Sequence, residues 1–470
     1  MAITTDGPEP RTAQPFGIND YYLGLLLFGL LGYSLFGRGF AYLGLPPLFI
    51  GEFLLVLGLI ALLNSGASVA TLSSVAGLWL IMLMVWTLAR TAPYIGEYGV
   101  DALRDSVIAL YGLYAFVMAG LLLERPDRLR RLIEAYGRFT YLFIPAVLIL
   151  YPLQQITPDV IPTWPITGVP LVVLKPGDIG VHLAGISLFL LLGFRRLGVI
   201  WLILLLAAMA MAATQGRGGM LAMVLPIALA LVLVRANRPL IFIGVLTASA
   251  VILALVLDLK LEFGDRRVLS ARQFVTNVIS ILSSTRSGDL DDTKEWRLEW
   301  WGMIVDYTLN GRYFWTGKGF GVNLANSDGF QVIEPGQGAL LRSPHNATMT
   351  ILARGGAPGL VFWLMTCAVW GWTMFSTYRL ALAHQNRVWS RFFLFIFCYW
   401  LSAMINATFD VSLEGPMMGI WAWCLFGVGM AAAMLYRVEL AGSQGEALAL
   451  RATGRRTVPM SRKPIISSQR

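Results

Sequence analysis

The sequence has 470 residues, of which 57% are hydrophobic and 13% are charged, and its formal net charge is +9 at pH 7. A soluble globular protein is far less apolar, so this composition excludes that class. The three cysteines all lie in hydrophobic runs, and no disulfide outside the cytoplasm is expected.

Hydrophobic runs of membrane-spanning length recur along the chain. We therefore expect an all-α, polytopic membrane protein with about twelve transmembrane helices. Residues 1–19 are interpreted as a disordered cytoplasmic lead without a cleavable signal peptide. The predicted spans centre on residues 21–36, 47–64, 72–89, 104–123, 139–154, 179–194, 198–214, 219–234, 239–257, 357–378, 392–409 and 416–436.

Basic residues predict the orientation of these spans. If the N-terminus is cytoplasmic, arginines fall in nearly every cytoplasmic loop, which is the positive-inside pattern. Both termini are then cytoplasmic, and the net charge implies no nucleic-acid partner. The basic tail, residues 438–470, is expected to be disordered, and contact with anionic membrane lipid is an alternative role for it. The loop arginines are Arg125, Arg128, Arg130, Arg131, Arg138, Arg195, Arg196, Arg235, Arg238, Arg379, Arg387 and Arg391.

The same assignment divides the chain into three main parts. Helices 1–9 would occupy residues 20–257, a large periplasmic loop residues 258–344, and helices 10–12 residues 345–437. The loop is too short for a sizeable core of its own, so we expect it to fold against the bundle.

One helix is predicted within this loop. Asp292, with Glu295 three residues later, has the character of a capping box with Asp292 as N-cap. The helix that follows would carry an aromatic stripe, which suits either a position at the bilayer interface or packing on the tops of the spans. The stripe consists of Trp296, Trp300, Ile304 and Tyr307.

The segment Arg342-Ser343-Pro344-His345-Asn346 leads from the polar loop back into hydrophobic sequence. Ser343 is predicted as a helix N-cap and Pro344 as the first helical residue, so that His345 lies in the first turn. A helix N-terminus disfavours imidazolium and attracts anions such as phosphate. A neutral imidazole beside an anion can accept a proton from an attacking hydroxyl. This pattern predicts group transfer from a phosphorylated lipid at a membrane surface.

Three arginines outside the membrane are candidate anion ligands. Arg217 lies between Gly216 and Gly218, which would let backbone approach a ligand, although an interfacial anchor is an alternative role. Arg297 follows Trp296 and is otherwise a surface charge, and Arg342 either shares the anion or stays solvated. Guanidinium groups bind a diphosphate bidentately. Two of them would neutralise a departing diphosphate without a metal, and no acidic metal cluster is obvious in the external loops.

Other polar residues near the external ends of spans have more than one interpretation. Asp410 and Glu414 either orient an acceptor sugar or are solvated loop charges. His182 is expected to cap or pack, and His384 falls in a cytoplasmic loop. Charges at span ends are also cavity candidates; here they are Glu52, Arg104 and Asp105.

The chain resembles the O-antigen ligase and O-antigen polymerase superfamily of bacterial envelope glycosyltransferases. His345-Asn346, followed by Gly356 and Gly359, is similar to the ligase signature around its essential histidine. Arg217 followed by Leu221 resembles the arginine motif of the family. Two further segments, Trp296-Arg297-Leu298 and Gly317-Lys318-Gly319-Phe320-Gly321, look like the run that precedes the histidine in many members.

The resemblance implies a GT-C-like membrane fold and an inverting transfer of a glycan from undecaprenyl diphosphate to a hydroxyl acceptor, without a cofactor or a metal. His345 would be the general base, and Arg217 and Arg297 would hold the diphosphate. Asn346, Arg342, Gly216, Gly218, Trp296 and Asp410 would line the substrate site. Ligases use lipid A-core as acceptor, polymerases extend a second lipid-linked glycan, and related pilin glycan ligases use a protein hydroxyl. The histidine motif favours a ligase at the bacterial inner membrane.

Two other classes compete with this interpretation. A transporter or lipid flippase also has about twelve spans, but no repeated halves and no long link after the sixth span are apparent. A purely structural membrane partner would leave the glycine-flanked Arg217 unexplained.

Overall fold

The computed structural model describes residues 17–235, 260–263, 267–270, 288–331 and 341–453. Helices dominate these residues, and the described strands form two small antiparallel hairpins, β1 (Gly44–Leu45) with β2 (Leu48–Phe49) and β3 (Lys260–Phe263) with β4 (Arg267–Ser270). The helices are α1 (Ile18–Phe36), α2 (Arg38–Ala41), α3 (Ile50–Asn64), α4 (Ser68–Leu72), α5 (Val75–Thr91), α6 (Ile95–Tyr98), α7 (Val100–Leu110), α8 (Leu113–Glu124), α9 (Asp127–Ile156), α10 (Pro176–Leu191), α11 (Val199–Gln215), α12 (Arg217–Leu233), α13 (Gly288–Leu309), α14 (Leu324–Asp328), α15 (Ala347–Ala383), α16 (Arg387–Ala407) and α17 (Pro416–Thr453).

The all-α prediction is confirmed for the described residues, and each predicted span coincides with a helix except 239–257, which lies outside them. Among the described residues, five helical segments are long and apolar enough to cross a membrane alone, and the pair α7–α8, bent by 44°, is a sixth if it forms one span. The helices α10, α11 and α12 have 16, 17 and 17 residues. Such helices are about 25 Å long, which is short of a hydrocarbon core about 30 Å thick. The number twelve and the periplasmic placement of the loop therefore stay predictions.

Both chain ends differ slightly from the expected boundaries. The first helix begins at Ile18, inside the lead expected to be disordered, and residues 1–16 lie outside the described part. The last helix continues to Thr453, beyond residue 438 where the tail was expected to begin. Its sequence there is rich in Ala, Leu and Glu, which favour helix.

Three helices pack closely at one end of the bundle through glycines. A Cβ at Gly180 would lie 2.8 Å from the carbonyl oxygen of Gly219, and a Cβ at Gly177 would lie 2.3 Å from Oδ1 of Asn406. Since nothing larger than hydrogen fits, the first turns of α10 and α12 lie side by side against the end of α16. This packing positions the candidate site.

The loop helix α13 begins at Gly288, so the prediction of Asp292 as its N-cap is wrong. Trp300 and Ile304 are fully buried, and they form a small core with Leu352 and Ala353 from the beginning of α15. The Trp300 ring stacks on Phe330 with 5.2 Å between centroids. The aromatic stripe therefore packs on the spanning bundle, as the second of its two interpretations required.

A kink divides α15 into two segments. Gly356 has φ 66° and ψ −167° within the helix, and the N–H of Ala357 donates to the carbonyl oxygen of Phe314 over 2.7 Å. The span predicted to begin at residue 357 thus starts directly after the kink. The preceding part of the helix, residues 347–355, follows directly after the histidine segment and packs against α13.

Candidate functional site

The helix after His345 begins three residues later than the sequence predicts, at Ala347 and not at Pro344. Asn346 is its N-cap, and Oδ1 of Asn346 accepts from the N–H groups of Thr348 and Met349 over 2.9 and 3.2 Å. The prediction of Ser343 as N-cap and Pro344 as first helical residue is wrong. His345 instead precedes the cap with a left-handed backbone, φ 54°, which is uncommon for a residue with a side chain.

This cap also changes where an anion can bind. Two of the four N–H groups at the helix N-terminus are already bonded to Asn346, which leaves fewer of them for an anion. The anion site at this terminus stays a prediction, and arginine side chains are further possible donors to a phosphate. The amide of Asn346 is used for capping, and its contact with substrate stays a prediction.

His345 faces the turn between α16 and α17, residues 408–414. Its Nδ1 lies 3.5 Å from Oδ1 of Asp410, and both oxygens of Asp410 accept from Lys175 Nζ over 3.0 Å. Burial alone would raise the pKa of Asp410, but the hydrogen bond with His345 and the charge of Lys175 outweigh it and hold that pKa well below its usual range. Asp410 is therefore a paired carboxylate, and its interpretation as a solvated loop charge is wrong.

The pairing with Asp410 determines which nitrogen of the His345 imidazole is free to accept a proton. A carboxylate opposite Nδ1 favours the tautomer that carries a proton on Nδ1 and leaves Nε2 free to accept one. A separation of 3.5 Å is longer than a usual hydrogen bond. Such contacts are often long in a site without substrate and tighten when substrate binds.

Arg297 reaches the same turn from α13. Its Nη1 donates to the carbonyl oxygen of Phe409 over 3.1 Å, whereas its buried Nε has no partner among the described residues. Burial lowers the pKa of Arg297, and the nearby charge of Asp410 opposes that shift. A partly buried guanidinium with an unused donor is suited to an anionic ligand.

Arg217 is the first residue of α12 and is half-buried. A Cβ on the adjacent Gly218 would lie 2.6 Å from Cβ of Phe409, so the start of α12 packs on the 408–414 turn. Within the described part of the chain, the Arg217 guanidinium makes no hydrogen bond or ion pair. His345 and Arg297 thus contact this turn through their side chains, and Arg217 adjoins Gly218, which packs on it.

The two glycines beside Arg217 have different surroundings. Gly216 is the N-cap of α12, and a Cβ there would meet open space. Gly218 is instead required by the packing of Phe409, and its role in close ligand approach stays a prediction. Trp296 packs edge-on against Trp300 and Phe330, at 5.3 and 5.8 Å, and its predicted contact with substrate stays a prediction.

Arg342 anchors the loop before His345 and is neither solvated nor free for an anion. Its Nη1 donates to Asp101 over 3.0 Å, and its Nη2 donates to Asp105 and to the carbonyl oxygen of Gly321, both over 2.9 Å. Burial would lower the pKa of Arg342, but the bonds to Asp105 and Asp101 raise it. Its donors are used within the fold, and its contact with substrate stays a prediction.

Glu414 forms hydrogen bonds with the segment that contains His345. It accepts from Thr350 Oγ1 over 2.8 Å and also hydrogen-bonds with Ser343, so it contacts residues on both sides of His345. Burial raises the pKa of Glu414, while the charge of Arg354 and these hydrogen bonds lower it. The interpretation of Glu414 as a solvated charge is wrong.

The glycine-rich segment 317–321 packs against the kink in α15, where the first glycine of the spacing after the histidine lies. At the kink, the carbonyl groups of Ala353 and Arg354 accept from the N–H groups of Lys318 and Gly319 over 2.7 and 3.0 Å. A Cβ at Gly317 would lie 2.4 Å from the carbonyl carbon of Arg354. The loop therefore replaces the helical hydrogen bonds that the kink breaks.

Three other predicted candidates lie away from this site or have structural partners. His182 is buried in α10, with Nδ1 2.9 Å from Tyr399 Oη, so its packing role is confirmed. Glu52 accepts from Tyr111 Oη and from the N–H of Phe49, over 2.9 and 3.0 Å, and caps α3. His384 is the exposed C-cap of α15.

Sequence reasoning missed the pairing of Lys175 with Asp410, and also the role of Trp301, whose Nε1 donates to the carbonyl oxygen of Pro344 over 2.9 Å. Lys175 stands in the Lys175-Pro176-Gly177-Asp178 run, which the sequence shows as a helix start. Nothing local in the sequence joins it to a residue 235 positions away.

The model of the O-antigen ligase family matches residues 202–364. This segment contains Arg217, Arg297 and His345, and the resemblance drawn from their motifs is confirmed. A comparison with curated proteins finds no match. Together with the apolar helices, this similarity to the O-antigen ligase family over residues 202–364 indicates a multi-pass membrane protein.

Proposed function

We propose that this member of the O-antigen ligase and polymerase superfamily transfers a glycan from undecaprenyl diphosphate to a hydroxyl acceptor on the periplasmic side of the bacterial inner membrane. The observation that carries the proposal is the approach of His345, Arg297 and Arg217 to one turn, residues 408–414. A base and two guanidinium groups at one place match the needs of transfer from a lipid diphosphate.

The arginines act on the leaving group. When the bond between the anomeric carbon and the diphosphate oxygen breaks, negative charge grows on the diphosphate. Arg217, without a partner among the described residues, and Arg297, with its unused Nε, donate to those oxygens. Guanidinium groups placed before the reaction stabilise this charge without a metal ion.

His345 acts on the acceptor. Its Nε2 takes the proton of the acceptor hydroxyl as the oxygen attacks the anomeric carbon from the face opposite the diphosphate, so the configuration inverts. The carboxylate of Asp410 holds the ring by Nδ1 and stabilises the imidazolium that forms. Lys175 keeps that carboxylate charged and in place.

For the acceptor, we propose lipid A-core, which makes the protein an O-antigen ligase. The support is the likeness of His345-Asn346 and the later glycines to the ligase signature. Extension of a second lipid-linked glycan, as in a polymerase for O-antigen or exopolysaccharide, is the second candidate, since the matched family is shared.

A chromosomal deletion scored by polysaccharide gel separates these candidates. Loss of all capped lipopolysaccharide with intact lipid-linked polymer is the result expected for a ligase. Single-unit capping indicates a polymerase of O-antigen, and normal lipopolysaccharide with loss of secreted polymer indicates a polymerase of exopolysaccharide. If both polymers are unchanged, the proposed transfer is wrong.

Complementation of the deletion tests the general base. His345→Ala should lower transfer at least about 10²-fold, the usual contribution of a positioned base, while membrane abundance stays normal. The control is His384→Ala, which removes an exposed histidine outside the site and should complement fully. Normal transfer by His345→Ala would remove the base from the mechanism.

A further inference from the structure

Five arginines surround a cavity of about 420 Å³ at the end of the bundle opposite the candidate site. They come from three separate parts of the chain: Arg130 and Arg138 from α9, Arg195 from the α10–α11 connection, and Arg387 and Arg391 from the start of α16. If these arginines served only to orient the transmembrane helices, they would need only to lie in loops on one side of the membrane. They would not need to line one cavity.

The charge around this cavity is unbalanced. Its one acidic lining residue is Glu134, which lies 3.7 Å from Arg130 in an exposed pair. The Arg195 guanidinium stacks over the Tyr141 ring, 5.4 Å from its centroid. Among the described residues, Arg138, Arg195, Arg387 and Arg391 form no ion pair. Most of the positive charge therefore remains available to a ligand.

Two glycines line the cavity beside its arginines. A Cβ at Gly193 would lie 3.2 Å from Nη1 of Arg391, and a Cβ at Gly137 would lie 3.9 Å from Cδ of Arg195. Both glycines line the cavity. Longer side chains at these positions would project among the guanidinium groups.

An apolar cleft of about 400 Å³ adjoins the arginine cavity, and the two share Ile133, Arg138 and Phe189 as lining residues. Phe28 and Leu142 also line the cleft and are 59% and 47% exposed. In a membrane these side chains face hydrocarbon. The two spaces together form an amphipathic site, with cations at one end and aromatic and aliphatic side chains along the other.

We propose that this arginine cavity and apolar cleft bind an anionic phospholipid. Arg138, Arg195 and Arg391 would hold the phosphate, and an acyl chain would lie in the cleft beside Phe28 and Leu142. Guanidinium forks match phosphate oxygens, and basic pockets between transmembrane helices suit anionic head groups. A polyprenyl phosphate shares this chemistry of a phosphate on a long apolar chain, so the test must separate the two lipids.

Native mass spectrometry of the detergent-purified full chain measures binding directly. The probes are phosphatidylglycerol, phosphatidylcholine with the same acyl chains, and polyprenyl phosphate. We expect phosphatidylglycerol to be retained at concentrations where phosphatidylcholine is not. Equal retention of these two, or displacement of phosphatidylglycerol by less than an equimolar amount of polyprenyl phosphate, would overturn the proposal.

A pair of double variants locates the site. Arg195→Gln with Arg391→Gln should weaken phosphatidylglycerol binding about thirty-fold, since both guanidinium groups line the cavity. The matched control, Arg196→Gln with Arg379→Gln, removes the same charge from exposed residues that are not in the lining. Both pairs keep the fold if they elute as monodisperse species with unchanged thermal unfolding. Equal weakening by both would show that surface charge alone attracts the lipid and would refute the site.

Discussion

Asp410 joins two residues that the sequence keeps far apart. Its carboxylate meets Lys175 from the start of α10 and His345 from the segment before α15, so one side chain contacts three elements. Because the lysine and the imidazole both favour the charged form, the acid stays ionised although it is largely buried. This arrangement suits Asp410 to positioning His345, and its contact with substrate stays a prediction.

Asp410→Asn should therefore lower kcat about 10²-fold or more while KM for the donor changes little, because the shape is kept and the charge behind the base is lost. Asp410→Glu should restore part of kcat. The control is Asp159→Asn, at an exposed position in the short 3₁₀ helix that follows α9. A rise in KM together with a fall in kcat, with no recovery in Asp410→Glu, would indicate a merely structural role.

The same carboxylate predicts a dependence of stability on pH. The pKa of Asp410 in the folded protein lies below its ordinary value, so its ionised form stabilises the fold above about pH 4. This contribution is lost as pH falls through the folded pKa. The unfolding free energy of the wild type should fall more steeply with acidification than that of Asp410→Asn. Parallel curves would contradict the pairing.

Arg217 tests whether geometry or charge matters at the diphosphate. Arg217→Lys keeps one positive charge but loses the planar fork, so transfer should fall nearly as far as in Arg217→Ala. An initial-rate assay with a lipid diphosphate donor measures the difference. Full activity of the lysine variant would instead indicate that Arg217 is an interfacial anchor.

At the scale of elements, the kink in α15 determines the position of the histidine segment. Gly356 has a left-handed backbone, and a Cβ there would lie 2.5 Å from the carbonyl oxygen of Phe314 and 2.9 Å from the N–H nitrogen of Gly317. The neighbouring Gly359 is helical, and a Cβ there would meet the Trp86 ring at 3.4 Å. The two glycines of the family spacing therefore have different structural requirements.

Gly356→Ala should destabilise the protein by at least about 2 kcal/mol, since the left-handed backbone alone costs a side chain roughly 1–2 kcal/mol. Gly359→Ala, at a helical position with an ordinary contact, should change stability by less than about 1 kcal/mol. Thermal unfolding in detergent compares the pair. Equal stability of the two variants would show that the kink can form without glycine.

The positions of the helices could be predicted from the sequence, whereas most contacts between them could not. Hydropathy located the helices, because each apolar run is a local property of the chain. His345, Arg217 and Arg297 were found through short motifs, but the N-cap was misplaced because Ser343 and Asn346 are both good cap residues and only tertiary contacts choose between them. The partners of Asp410, Arg342 and Glu414 are long-range ion pairs and hydrogen bonds, and no periodicity in the sequence encodes them.

At the scale of the whole molecule, the two ends of the bundle bear different charge arrangements. One end gathers His345, Arg217 and Arg297 with carboxylates that are already paired within the fold. The other end holds arginines in two groups: Arg125, Arg128 and Arg131 pair with the buried Asp20, and a second group lines a cavity. Packing thus uses part of the positive charge at this end, and the arginines around the cavity are the ones that the proposed lipid would bind.

The charge at the candidate site leads to a prediction about metal ions. If the guanidinium groups of Arg217 and Arg297 neutralise the diphosphate, transfer by the purified protein needs no divalent cation. Extensive dialysis against EDTA should leave the initial rate unchanged, and added Mg²⁺ should not raise it. As a control, a metal-dependent glycosyltransferase dialysed in parallel should lose activity and regain it with Mg²⁺. Loss of transfer here that returns with a divalent ion would assign the charge stabilisation to a metal and reduce the arginines to binding residues.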